Sequence, residues 1–246
     1  MAHPSATARI FGEYMGKIVS WFKNYWYYYK WTVIIAVFFI AVILFCLFNT
    51  GDKTEYDVSV LYTGPCLITS DQNKSIGAVF SQIVTQDKNG DGKKNADFIS
   101  YPAFTYEQID EAVKNEKDPA QASYKYSPYT VNNVEPDFSK QFMAGVASVC
   151  LLDPYWYDIA LKSGALMPLS EVLGYTPDGL VDEYSIRFSD LKASKWFEEF
   201  DVIPDDTVLC FRKVTTAASF TGKDIAQKNY EAGKQFICDL FAFSAE

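Results

Sequence analysis

"VASVCLLDPYWYDIALKSG" (residues 146–164) carries the strongest fold signal in the chain. Its first seven residues are apolar apart from one serine, as expected for a central strand that is covered on both faces. Asp153 and Pro154 follow as an N-cap and a first-turn proline, and Gly164 marks the end of the helix that they begin. A buried strand that leads directly into a helix is the building unit of α/β domains, so this stretch predicts that class.

The rest of the C-terminal region alternates between strand-like and helix-like segments, which predicts a mainly parallel sheet. Thr105 and Gln108 have the spacing of a capping box, and Ser75 is the predicted N-cap of an earlier helix. Residues 117–140 and 175–204 interrupt the alternation and show no clean period. The other predicted strands are 56–64, 96–104 and 207–214, and the other predicted helices are 75–86, 105–116, 222–243 and a short one within 191–200.

A second signal is the apolar run "WTVIIAVFFIAVILFCLF" (residues 31–48), in which only Thr32 is polar. Its 18 residues form a helix about 27 Å long, close to the hydrocarbon thickness of about 30 Å. A buried core helix would show a polar face, and this run has none. A cleaved signal peptide is excluded because some 30 residues precede the run and no small-residue cleavage site follows it. Residues 31–49 are therefore predicted to be an uncleaved transmembrane anchor.

Charged residues around this run predict its orientation. Lys17, Lys23 and Lys30 precede it, so the positive-inside rule places the N-terminus in the cytoplasm of the cell. The aromatic stretch 24–31 is typical of a belt at the headgroup level, and apolar residues four apart between residues 10 and 22 favour an interfacial helix. The predicted domains are a cytoplasmic and interfacial segment at 1–30, the transmembrane helix at 31–49 and an extracellular α/β domain at 50–246.

The charge of the predicted exterior domain excludes one class of partner. Residues 1–30 contain four basic residues and one acidic residue, a net charge of +3. Because the whole chain carries a net charge of −9, the remainder carries −12. A domain with this charge does not attract nucleic acid or anionic lipid through its overall field. The partners that we expect are the membrane, a second membrane protein or a small solute.

Several catalytic chemistries are excluded by what the sequence lacks. His3 is the single histidine and lies on the predicted cytoplasmic side, so the exterior domain has no histidine for Ser–His or Cys–His catalysis or for zinc. Walker and Gly-x-Gly-x-x-Gly loops and a Gly-x-Ser-x-Gly elbow are absent as well. Carboxylate pairs such as Glu198-Glu199 and Asp205-Asp206 are interpreted as solvated turns, although a glycosidase-like pair stays open.

Four cysteines lie in the predicted exterior domain: Cys66, Cys150, Cys210 and Cys238. They allow three pairings, among which the sequence does not choose. Cys150 and Cys210 lie inside apolar strands, which favours a role as small buried side chains.

Ligands of α/β sheets bind at the carboxyl ends of the strands. Aromatic side chains follow or end three of the predicted strands, so we name Tyr62, Tyr101, Tyr155 and Trp156 as candidate ligand-binding residues. Tyr155 and Trp156 could stack on a sugar ring, but packing beneath the adjacent loop is the preferred interpretation for them.

"QDKNGDGKKNADF" (residues 86–98) matches the first half of a calcium loop. Asp87, Asn89 and Asp91 correspond to loop positions one, three and five, and Gly92 corresponds to the turn at position six. Position twelve is Phe98, so the bidentate acid that should complete the site is missing. A helix-to-strand turn requires the same residue types. We therefore interpret the stretch as a turn, with a low-affinity calcium site as the alternative and no other cofactor.

Residues 142–174 resemble a segment of bacterial extracellular solute-binding proteins of type II. The resemblance rests on an Ala-Gly pair before a central strand, on the helix that follows, and on the Gly-x-Leu-x-Pro-Leu pattern at 164–169. The order of strands and helices across 56–115 is similar to the first lobe of that family. Val146-Ala147 replace the usual Pro-Asp, and the second lobe is reduced to about 30 residues. The resemblance implies a tethered, non-catalytic module that recognises a small ligand or a partner membrane protein. The alternative function is a carboxylate-based hydrolase of surface glycans.

Overall fold

The computed structural model describes residues 6–49, 56–115, 138–140, 142, 147–214 and 223–244. It separates the chain into two compact units, Met1–Thr54 and Glu55–Glu246. The boundary predicted between the anchor and the exterior domain lies between residues 49 and 50. Residues 50–55, which follow this boundary, lie outside the described ranges.

The first unit is one helix, α1 (Ala6–Asn49). It contains the segment Met15–Cys46, which is long and apolar enough to cross a membrane. The predicted helix at 31–49 is confirmed, but it continues without a break through the segment that we expected to be a separate interfacial element. Three aromatic rings spaced four residues apart stack along one side of α1, with centroids 5.4 Å apart for Trp21 and Tyr25 and 5.0 Å apart for Tyr25 and Tyr29.

The second unit is a mixed α/β domain, as the strand–helix alternation predicts. Its strands in the described residues are β1 (Val58–Gly64), β2 (Ala96–Pro102), β3 (Val149–Leu152), β4 (Leu166–Met167), β5 (Leu180–Asp182), β6 (Ser185–Arg187) and β7 (Val208–Arg212). Its helices are α2 (Ser70–Ile83), α3 (Tyr106–Asn115), α4 (Pro154–Lys162), α5 (Leu169–Leu173), α6 (Lys192–Trp196) and α7 (Lys223–Ala242), with 3-10 turns at Phe188–Asp190 and Glu198–Val202.

All seven strands form one sheet in the order β2-β1-β3-β7-β6-β5, with β4 paired to β7. β1 pairs in parallel with β2 on one side and β3 on the other, which confirms the expected parallel arrangement in this part. Beyond β3 the pairing is antiparallel. β7 runs antiparallel to β3 because the chain enters β7 beside the carboxyl end of β3, where Val208 lies opposite Leu152. A parallel pair would require a crossover connection that first returns the chain to the other edge of the sheet.

The sequence predicts a reduced second lobe at residues 175–204. The structure corrects this prediction, because these residues extend the main sheet. Their strands β5 and β6 form a hairpin that pairs with β7, and Phe188 and Phe200 belong to the main core. The predicted short helix is present as α6. Nearly all of the other interrupting stretch, residues 117–137, lies outside the described ranges.

Each face of the sheet has its own apolar core. On one face, α2 and α7 contribute Ile76, Phe80, Phe236 and Ile237, all at most 2% exposed. Phe80 lies at the centre of this face, with its ring centroid 4.8 Å from that of Phe200 and 5.6 Å from that of Phe236. On the other face, α4 contributes Trp156, Tyr157 and Ala160. Full burial of one such large apolar side chain stabilises the fold by about 1.5–3 kcal/mol.

Helix boundaries follow local hydrogen bonds. The capping box of α3 is confirmed, because the Thr105 amide donates to Gln108 Oε1 at 2.9 Å and the Gln108 amide donates to Thr105 Oγ1 at 3.2 Å. The N-cap predicted at Ser75 is wrong. The N-cap is Thr69, six residues earlier, because Thr69 and Gln72 form a capping box of their own.

The closing helix α7 buries Ala232, Phe236, Ile237 and Leu240 as its apolar pattern predicts. The side chain of Ile225, predicted to face the core with them, lies outside the described residues.

Candidate functional site

The carboxyl ends of β1, β2 and β3 meet at one edge of the sheet. Gly64 lies opposite Pro102, and Thr63 lies opposite Leu152, so the chain segments that follow all three strands are neighbours. In the strand order β2-β1-β3, the strand that follows β1 in the chain lies on one side of it and the next strand lies on the other side. Such a change of direction is a topological switch point, where α/β sheets bind ligands. This edge is therefore the first place to test for a functional site.

Asp153 is the central polar residue of this edge and is only 5% exposed. Its Oδ1 accepts the Tyr155 amide hydrogen at 3.0 Å, which caps α4 as predicted. Its Oδ2 accepts a hydrogen bond from Gln108 Nε2 at 3.3 Å, while Gln108 Oε1 accepts the Thr105 amide hydrogen. Asp153 and Gln108 thus connect the N-termini of α3 and α4 through one hydrogen-bond network.

The pKa of Asp153 is raised, chiefly because burial disfavours its charged form. The negative charge of Asp206 raises this pKa further, and the hydrogen bonds from the Tyr155 amide and Gln108 oppose the rise. A carboxyl group whose pKa is raised by burial and by the charge of a second carboxylate is a feature found in acid–base sites. In Asp153, however, each carboxylate oxygen is already engaged in holding a helix N-terminus.

Tyr62 fills the space beside Asp153 and is fully buried. Its hydroxyl accepts the Cys66 amide hydrogen at 3.3 Å, and burial raises the pKa of this hydroxyl. Gly64 makes this position possible, because a Cβ added to it would lie 2.6 Å from Tyr62 Oη and 3.3 Å from the Asp153 Cβ. Tyr62 therefore presents no surface to a ligand in this structure, contrary to its selection as a binding residue.

The other candidate aromatic residues have different environments. Trp156 is 1% exposed, and its Nε1 donates to the Ala103 carbonyl at 3.2 Å, so it packs in the core as the preferred interpretation states. Tyr155 is 44% exposed, with its ring edge-on to Trp156, and Tyr101 is partly buried. Tyr106, which begins α3, is 63% exposed. Tyr155 and Tyr106 therefore present exposed aromatic surface in the first turns of α4 and α3, the two helices whose N-termini the Gln108–Asp153 bridge connects.

Loop 87–93 has the geometry of a turn. The Asp87 carboxylate accepts the Gly90 amide hydrogen at 2.6 Å and the Gly92 amide hydrogen at 2.8 Å, and these bonds lower the pKa of Asp87. Asn89 and Asp91 each accept the amide hydrogen of the residue two positions later, at 2.8 Å. Among the described residues, no group of three His, Cys, Asp or Glu side chains is arranged to hold a metal ion. The calcium alternative for Asp87, Asn89 and Asp91 stays a prediction.

The remaining candidates are surface carboxylates and buried thiols. Glu198, Glu199, Asp205 and Asp206 are all exposed. Cys150 and Cys210 are register partners on β3 and β7 and are fully buried as free thiols, and burial raises the pKa of Cys150 to about 12. Thiols with raised pKa values are poor nucleophiles, so this pair is structural in character.

Gln108 is the residue of this edge that sequence reasoning did not select. The capping-box spacing identified its hydrogen bond to Thr105, but its second partner, Asp153, is 45 residues away along the chain.

Comparison of the chain with protein-family models, curated proteins and solved structures finds no match in any of the three. Function is therefore inferred from the residues of this chain alone.

Proposed function

We propose that this chain is a single-pass membrane protein whose α/β domain lies outside the cell and recognises a small ligand or an adjacent membrane protein without catalysing a reaction. The apolar segment Met15–Cys46 supports membrane anchoring, and the lysines before residue 31 support a cytoplasmic N-terminus. The resemblance of residues 142–174 to solute-binding proteins supports recognition as the role of the domain.

One observation carries the proposal: at the carboxyl edge of the sheet the polar groups hold the structure together, while tyrosines are exposed. Asp153 and Gln108 are engaged in capping, and Tyr62 is buried. Exposed tyrosines provide a rigid apolar ring and a hydroxyl, which makes them frequent contact residues in binding surfaces. Tyr106 and Tyr155 are accordingly the residues that we expect to contact the ligand or partner.

Site-specific photo-crosslinking in intact cells tests recognition at this edge. A photoreactive phenylalanine analogue would replace Tyr106 or Tyr155, and Tyr175, which is 54% exposed and belongs to neither helix, would serve as the control. We expect one discrete adduct, a small-molecule mass or a single membrane protein, at both test positions and none at the control. An adduct pattern that is the same at all three positions would contradict recognition at this edge.

Protease treatment of intact cells tests the topology separately. Protease added outside should remove the domain that follows residue 55 and leave an anchored N-terminal fragment. Protection of the domain until the cells are lysed would contradict an exterior location, whatever the crosslinking result.

The alternative, a carboxylate-based hydrolase, is favoured by the raised pKa of Asp153 and the nearby charge of Asp206. It requires Asp153 to act as the acid and Asp206 as its partner. Hydrolysis of surface glycans by the purified full chain, lost in both Asp153→Asn and Asp206→Asn, would establish this alternative. Equal activity in Asp206→Asn and wild type would exclude this pair.

A further inference from the structure

The chain segments that follow the three parallel strands each expose one large apolar side chain. Leu67 follows β1 and is 45% exposed, and Tyr106 and Tyr155 follow β2 and β3. Neighbouring strands lie about 4.8 Å apart, so the three segments leave the sheet within about 10 Å of one another. Exposed apolar side chains on neighbouring segments are typical of interaction surfaces. We call Leu67, Tyr106 and Tyr155 the edge surface.

The charge around the edge surface has one sign. The segments that form this edge run from the end of each parallel strand through the first turn of the next helix, and a fourth leads into β7. They are residues 64–73, 103–109, 153–157 and 203–207. The fourth belongs to the same edge because Val208 lies opposite Leu152, the last residue of β3. These segments contain no lysine or arginine. Their acidic residues are Asp71, Glu107, Asp153, Asp205 and Asp206.

Four of these five carboxylates are available to a partner. Asp153 is buried and caps α4, but Asp71, Glu107, Asp205 and Asp206 are exposed. None of the four forms an ion pair within the described part of the chain. The edge surface is therefore apolar with an acidic surround.

Three kinds of occupant do not suit an edge of this composition. A second copy of the chain would bring the same carboxylates against each other, because a symmetric dimer uses one patch on both subunits. An anionic partner is repelled by the same charges. A small solute is held in a concave site that covers most of its surface. The side chains of the edge surface are instead 44–63% exposed and form an open face.

We propose that the edge surface docks a basic segment of an adjacent membrane protein. Apolar side chains of that segment contact Leu67, Tyr106 and Tyr155, and its lysine or arginine side chains face Glu107 and Asp206. Tyrosine rings favour such a partner twice, because they bury apolar area and also attract a cation that lies over the ring face. The opposite charges orient the partner and exclude segments with acidic side chains. This inference rests on the proposed recognition function and names the class of partner.

Photo-crosslinking from the Tyr155 position in intact cells, followed by mass spectrometry of the adduct, identifies the segment that is contacted. We expect a protein adduct in which the sequence around the attachment point has more lysine and arginine than aspartate and glutamate. A small-molecule adduct, or attachment to a segment without net positive charge, would overturn this inference and leave recognition at the edge intact. Absence of a discrete adduct from both Tyr155 and Tyr106 would contradict the recognition function itself, and this inference with it.

A matched pair of charge-reversed double variants tests the role of the carboxylates. Glu107→Lys/Asp206→Lys should lower the yield of the Tyr155 adduct at least fivefold, because the basic segment is then repelled. The control Glu171→Lys/Glu231→Lys changes the net charge by the same amount and should leave the yield unchanged. Each pair contains one acidic residue from the first turn of a helix, so the effects on helix stability are similar. Equal melting temperatures of the two variants would verify that both fold.

The control carboxylates lie away from the edge surface. Burial and the charges of Glu231 and Glu171 raise the pKa of Tyr230, so both carboxylates are near this tyrosine. The ring of Tyr230 packs against Phe211, which lies opposite the first residue of β3 and therefore near the other end of that strand. An unchanged yield in Glu107→Lys/Asp206→Lys, or an equal fall in both double variants, would overturn the proposal.

Discussion

Replacing Gly64 with alanine should destabilise the domain through a steric conflict with one identified atom. The added Cβ would lie 2.6 Å from Tyr62 Oη and 3.0 Å from Tyr62 Cζ. Tyr62 is fully buried and its hydroxyl is held by the Cys66 amide, so the ring has no free space into which it can move. Gly64 is not among the glycines with positive φ, so backbone strain does not add to the cost.

The expected magnitude follows from overpacking of a filled core. Adding one carbon to a well-packed site typically costs about 1–3 kcal/mol, so we expect Gly64→Ala to lower the free energy of unfolding by about 2 kcal/mol. For a domain of this size, that loss corresponds to a melting temperature lower by about 4–8 °C. Tyr62→Phe removes the nearest atom at the loss of one hydrogen bond, about 1 kcal/mol. In the Tyr62→Phe background, Gly64→Ala should then cost about 1 kcal/mol or less.

Urea unfolding of the full chain in detergent micelles, followed by tryptophan fluorescence, would measure all four members of this double-mutant cycle. The coupling free energy between the two positions should be about 1 kcal/mol or more. Gly77→Ala is the matched control, because its Cβ would meet the Ala96 carbonyl oxygen at 3.3 Å while the helix gains from alanine, and a change near zero is expected. Strictly additive effects of Gly64→Ala and Tyr62→Phe would refute the reasoning.

Three further predictions concern single carboxylates and a turn glycine. Gly92→Val should destabilise by about 1 kcal/mol or more, equally in calcium and in chelator, because Gly92 has a φ of +82° and no neighbouring atoms that a side chain would meet. A calcium-dependent rise in the wild-type melting temperature that Asp87→Ala abolishes would contradict the turn interpretation. Asp57→Ala should cost about 3 kcal/mol in urea unfolding, since three amide donors lose their acceptor, whereas the exposed Asp158→Ala should cost far less. Burial raises the pKa of Asp153 above its unfolded value of about 3.9, so the folded state binds the proton more tightly and ionisation opposes folding. The stability of wild type relative to Asp153→Asn should therefore fall as pH rises from about 4 through the folded-state pKa, and a relative stability that rises over this range would contradict the assignment.

Local signals in the sequence predicted the longer helices and strands of this protein and their approximate limits. The apolar run before residue 49 has no polar face, and this property alone predicts a long helix of membrane-spanning composition. The Thr105–Gln108 box and the Asp153-Pro154 pair identify helix starts because the hydrogen bonds that cap a helix join residues only two or three positions apart. Gly92 was predicted to occupy a turn from its neighbours, and its positive φ confirms this.

The tertiary structure alone decided how these elements combine, because pairing and burial depend on residues that are distant in the sequence. The strand pattern of β7 is the same whether it runs parallel or antiparallel to β3, and its direction depends on the edge at which residues 175–204 deliver the chain. Tyr62 and Trp156 were candidates for ligand contact by their position at strand ends, but packing against both faces of the sheet buries them and leaves Tyr155 and Tyr106 exposed. The bridge from Gln108 to Asp153 likewise joins residues 45 positions apart, and no local pattern encodes a contact over such a separation.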